Sequence, residues 1–124
     1  MSTLRASVSA GESGPVITLS GEADMTTVAE LSELVTAQLS GGTSYLAIDA
    51  SGLSFADSAS VRVLMLAAVT LRKRGGALVL LRPQRALARM LEILGADQVI
   101  TIREQADAAP EPECDAEEPP GGRP

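Results

Sequence analysis

The chain of 124 residues has no histidine, one cysteine and only two aromatic residues, Tyr45 and Phe55. Without histidine it lacks the commonest general base, most nucleophile–base triads and most transition-metal sites. Cys114 alone can neither close a disulfide within the chain nor begin a metal-ligand spacing. Two aromatics are too few for a platform on which bases would stack. Long apolar runs are missing as well. No stretch reaches the ~20 residues that span a bilayer, and the longest, Val61 to Leu71, is interrupted by Arg62 and Thr70. The first ten residues, MSTLRASVSA, carry no long apolar region after a basic start. These absences point to one cytoplasmic domain that is not an enzyme, with no cofactor, no metal and no membrane or nucleic-acid partner.

The formal net charge of -6 is unevenly spread. Residues 103–124 hold seven of the sixteen acids and two of the ten bases, which leaves the first 102 residues at a net of -1. A near-neutral body gives no electrostatic reason for binding a nucleic-acid backbone.

What is present is aliphatic and periodic. Leu4–Val8 and Val16–Leu19 read as strands, the second ending at Gly21. Residues 25–40 read as a helix with Val28, Leu31, Leu34, Val35 and Leu39 on one face. Thr27 and Glu30 fit a capping box at its start, and Gly41-Gly42 stops it. Tyr45–Asp49 is a short buried strand, followed by a loop over 50–57. A second helix runs from Ser58 to Arg74, its buried face made of Val61, Leu64, Met65, Ala68 and Val69. Arg72, Lys73 and Arg74 suit its negative end. Ala77–Leu81 is a strand. Pro83 opens a third helix, in which Leu87, Met90, Leu91 and Leu94 face the core and Gly95 closes. Gln98–Ile102 is the last strand. The order β-β-α-β-α-β-α-β implies an α/β domain over residues 1–107, with a mostly parallel sheet of four to five strands. The acidic, proline- and glycine-rich segment 108–124 reads as disordered.

The informative stretch is Asp49-Ala50-Ser51-Gly52-Leu53-Ser54-Phe55-Ala56-Asp57-Ser58-Ala59-Ser60. It leads from a buried strand to the start of an amphipathic helix, the edge of an open α/β sheet where ligands bind. Asp57 or Ser58 can simply cap that helix. The loop is nevertheless long for a β–α connection, and it buries the hydrophobes Leu53 and Phe55, which would pin the polar pair in a fixed exposed position. Asp24, with Thr26 and Thr27, forms a helix-start cluster that reads either as capping or as a second contact loop. Arg82, Arg85 and Arg89 fall at helical spacing, which suits a solvated basic face or an acidic partner.

These residues resemble a known family. Phe55-Ala56-Asp57-Ser58 is similar to the phosphorylation loop of STAS domains, specifically the bacterial anti-sigma-factor antagonists. Asp49-Ala50-Ser51, Leu53, Phe55 and Asp57-Ser58 follow that family's order and spacing. Gly21-Glu22-Ala23-Asp24, Gly75-Gly76 before ALVLL, and Arg82-Pro83 through Leu94-Gly95 extend the likeness over residues 4–102. The resemblance implies that Ser58 is the phospho-acceptor. It implies that Asp24, Thr26, Asp57, Ser58, Ala59, Ser60 and Arg62 form the partner-binding surface. The implied partner is an anti-sigma factor that is also a serine kinase, released when Ser58 is phosphorylated, with a separate serine phosphatase resetting the switch. The chain departs from the pattern where Ala59 and Ser60 replace the usual Ser/Thr and Gly, and Ser60 would narrow a kinase's access. Those departures fit the alternative, a phospho-independent STAS scaffold in a signalling complex or a transport ATPase.

Overall fold

The computed structural model describes residues 3–103. The predicted disordered segment 108–124, with Cys114, lies outside them. The elements are β1 (Leu4–Ala10), β2 (Pro15–Ala23), α1 (Val28–Ser40), β3 (Tyr45–Ala56), α2 (Ser58–Lys73), β4 (Ala77–Leu81), α3 (Arg85–Ile93), a short 3-10 turn (Ala96–Gln98) and β5 (Thr101–Arg103). They form one five-stranded sheet in the order β1-β2-β3-β4-β5. β1 and β2 are an antiparallel hairpin, and β2 through β5 pair in parallel. Each parallel connection carries a helix, as crossover connections require. The expected α/β order is therefore what forms.

Period-two alternation decides what the sheet buries. Leu46 and Ile48 of β3, Leu78 and Leu80 of β4, and Ile17 and Leu19 of β2 are all fully buried. They join Leu31 and Val35 of α1, Val61, Leu64, Ala68 and Leu71 of α2, and Leu87 and Leu91 of α3 in one core. The alternate positions Val16, Ala47, Val79 and Leu81 line a cavity of about 500 Å³, together with Tyr45, Thr101 and Arg103.

Several elements differ from their sequence expectations. β2 does not end at Gly21 but runs on to Ala23, because Gly21 takes a φ of 94° and the strand continues through two register shifts. Residues 50–56 are not a loop. They extend β3 to Ala56 by pairing with β2, with Ser20 beside Gly52 and Ala23 beside Ala56. Only Asp57 joins β3 to α2. α1 begins at Val28 rather than at 25, and Thr27 makes no capping box. Its Oγ1 is turned back to accept from the Asp24 N–H at 2.9 Å. Val69 and Leu94, expected in the core, are 38% and 40% exposed. Ala67 and Leu71 fill the α2 side instead. α3 starts after Gln84, and Arg82 lies in the turn before it rather than on a helical stripe.

Candidate functional site

The ends of β2 and β3 bring the two candidate loops together. The Asp57 N–H donates to the Ala23 carbonyl at 3.0 Å, so α2 starts directly beside the end of β2. The Ser54 hydroxyl donates to the Gly21 carbonyl at 2.9 Å and ties the same strands one step earlier. The turn 24–27 therefore stands next to the first turn of α2.

That first turn is set by its cap. Asp57 is in extended backbone, and its Oδ1 accepts the Ser60 N–H at 2.9 Å. The bond satisfies one of the free donors at a helix start. Ser58 follows as the first helical residue and is exposed. The capping and display readings are thus divided between two residues: Asp57 caps and Ser58 is shown to solvent. Ala59 is half-buried, and Arg62 is exposed one turn further on. Ser60 is only 1% exposed, with its hydroxyl unpartnered among the described residues. It lies beneath the surface, so its side chain offers nothing to a partner and does not obstruct Ser58.

The neighbouring turn is ordered by Asp24. Its Oδ1 accepts from the Thr26 hydroxyl at 2.6 Å and from the Thr26 N–H at 2.9 Å. Those two bonds favour the ionised form, and they hold the carboxyl below its ordinary range. Thr27, buried, locks the turn from below. Asp24 thus presents a fixed negative charge in the turn that follows Ala23, the residue bonded to the start of α2.

Met25 escaped the sequence reading at this edge, and Phe55 departs from it. Met25 is 72% exposed and Phe55 is 46% exposed. Phe55, assumed to be buried, is paired in register with Glu22, while Leu53 takes the buried position. The exposure of Met25 could have been read from its place between two turn-forming residues, Asp24 and Thr26, which leaves it no helical face to join. The site is accordingly a polar hydroxyl–carboxylate pair flanked by two apolar side chains, a composition suited to contact with another protein. No group of three potential metal ligands occurs among the described residues. The cavity on the opposite sheet face shares no lining residue with this edge. No helix among the described residues is long and apolar enough to cross a membrane.

No curated protein matches the chain. Solved structures do. An anti-sigma factor antagonist from Mycobacterium paratuberculosis superposes with a TM-score of 0.76 at 24% identity, covering 84% of this chain and 88% of that one. The anti-sigma factor antagonist SpoIIAA in its unphosphorylated form gives 0.64 at 21% identity, covering 85% and 90%. The Bacillus cell fate determinant SpoIIAA in its phosphorylated form gives 0.63 at 20% identity, covering 79% and 90%. These likenesses show a shared fold. The family model described as "Mlab, STAS domain" matches residues 6–103, nearly the whole described body. The chain belongs to the STAS domain family.

Proposed function

We propose that this domain is an anti-sigma factor antagonist: it binds an anti-sigma factor that is also a serine kinase, and phosphorylation of Ser58 releases it. The observation that carries this reading is the exposed Ser58 at the first turn of α2, fixed by the Asp57 cap and bordered by Asp24, Met25 and Phe55. The unmodified edge docks on the partner and frees a sigma factor for transcription. The partner supplies the nucleoside triphosphate. Its γ-phosphoryl forms a bond to Ser58 Oγ, the bond to the departing diphosphate breaks, and the hydroxyl proton passes to a general base of the kinase. A separate serine phosphatase hydrolyses the ester and resets the domain.

The physics favours release without refolding. A phosphate adds about -1.5 to -2 charges. At the start of a helix that charge faces free N–H groups and is tolerated by the fold. Asp24 and Asp57 already make the edge acidic, so the added charge penalises any partner surface that is acidic or loses water on contact. An affinity loss of a few hundredfold needs about 3–4 kcal/mol.

Capture of a small ATP-binding kinase on Ser58→Ala bait, and a single phosphate on the wild-type chain by intact mass after incubation with that kinase and ATP, test the reading. Capture without any phosphate transfer would favour the second reading, a phospho-independent scaffold in a signalling complex or a transport ATPase. The observation behind that second reading is the exposed Met25–Phe55 pair, which can dock a partner without a charge switch.

A further inference from the structure

Ser58 and Arg62 are both exposed on α2, four residues apart. That spacing puts their Cβ atoms about 5–6 Å apart on one helix face. Asp57, the acid closest in sequence, accepts the Ser60 N–H at Oδ1 and forms no ion pair with Arg62 among the described residues. Two arginines have work within the fold: Arg74 donates to the Leu39 and Thr43 carbonyls, and Arg82 pairs with Asp49. Among the described residues Arg62 makes no ion pair or hydrogen bond. Leu66, 59% exposed, and Val69, 38% exposed, continue its stripe down the helix. A guanidinium left free between a hydroxyl and an apolar strip has the character of an interface anchor.

We propose that Arg62 is the charge the switch moves: while Ser58 is unmodified its guanidinium pairs with a carboxylate on the partner protein, and a phosphate on Ser58 captures it within α2. The proposal rests on the reading of Ser58 as phospho-acceptor and names the residue through which modification is felt. An anion one turn N-terminal to a cation is the favourable order on a helix. A guanidinium also meets phosphate oxygens with two parallel donors. Modification then withdraws a cation from the docking face as well as adding an anion to it. The partner surface that fits is an apolar contact edged by acidic groups, facing Leu66, Val69 and Arg62.

Phosphoserine encoded at position 58 during synthesis tests this without any kinase. The second ionisation of that phosphate, followed by ³¹P NMR, reads the guanidinium directly. Arg62→Gln is expected to raise that ionisation by about half a unit, with Arg62→Lys falling between. Equal values before and after the Arg62→Gln substitution overturn the capture. Toward the kinase held by Ser58→Ala bait, Arg62→Gln in the same bait is expected to weaken binding about tenfold; unchanged affinity overturns the role of Arg62 in docking. Failure of the Ser58 reading shows separately, as no phosphate transfer by the kinase, and leaves the NMR result to decide the capture.

Discussion

The Arg82 guanidinium donates to Asp49 Oδ2 at 2.7 Å and joins the turn before α3 to the middle of β3. Partial burial alone would raise the Asp49 carboxyl. The Ser51 N–H and hydroxyl together with Arg82 outweigh it and hold the group below its ordinary range. A carboxyl with a depressed value stabilises the fold above its unfolded pKa, and that contribution disappears as pH falls through the folded one. Asp49→Asn is expected to cost about 0.5–1 kcal/mol near neutral pH, discounted for solvent screening because the Arg82 side chain is 43% exposed. It also removes part of the stability loss on acidification to about pH 3. Urea midpoints across that range measure both; a pH profile unchanged by Asp49→Asn contradicts this account.

The same arginine has a φ of 51°, the only non-glycine residue with a positive value among the described residues. A left-handed L-residue costs about 1 kcal/mol. Arg82→Ala loses the ion pair and keeps the strain, whereas Arg82→Gly loses the pair and relieves the strain. The glycine variant is therefore expected to be the more stable of the two by about 1 kcal/mol. Thermal unfolding of the two proteins side by side decides it, and the reverse order contradicts the assignment of strain.

Ser60 hides a hydroxyl with no partner among the described residues. An unsatisfied buried hydroxyl costs about 1–3 kcal/mol, and alanine is the better helix former. Ser60→Ala is expected to raise stability by about 1 kcal/mol. The family's usual glycine, introduced as Ser60→Gly, should fall about 1 kcal/mol below that alanine variant. Chemical denaturation measures the series, and a loss on Ser60→Ala would show the hydroxyl to be satisfied.

Adjacent glycines between α2 and β4 do different things. A Cβ on Gly76 would overlap the Ser44 carbonyl, where the Ala77 N–H is bonded. At Gly75 the space is open and only the φ of 83° resists a side chain. Gly75→Ala is expected to cost about 1 kcal/mol. Gly76→Ala displaces backbone and should cost roughly 3 kcal/mol or more, among the large values for single substitutions. Comparable losses for the two would contradict the steric reading.

Helical and strand periodicity made most of this fold legible. The stripes of α1 and α2 and the alternating runs of β2 and β4 need only local rules. The far half of β3 was hidden because its buried residues, Ala50, Leu53 and Ala56, are three apart rather than two. Register shifts in the pairing with β2 produce that spacing, and they depend on a strand distant in the chain. Ser51-Gly52 in the middle of the run then looks like a loop. That Asp57 or Ser58 caps α2 was readable from residue type at a helix start, but which of the two does so was not. Phe55, Val69 and Leu94 lie outside against expectation because large apolar residues are buried by default, and no local rule says which of these three the protein keeps outside.

In the proposed switch, charge at one oxygen, Ser58 Oγ, decides whether the partner stays bound. The most direct measurement is the affinity of the proposed anti-sigma kinase partner for this domain with serine and with encoded phosphoserine at position 58, by titration calorimetry at fixed salt. A few hundredfold weaker binding of the phosphoserine protein, with its circular dichroism unchanged, is the predicted result. Equal affinity of the two proteins would contradict it.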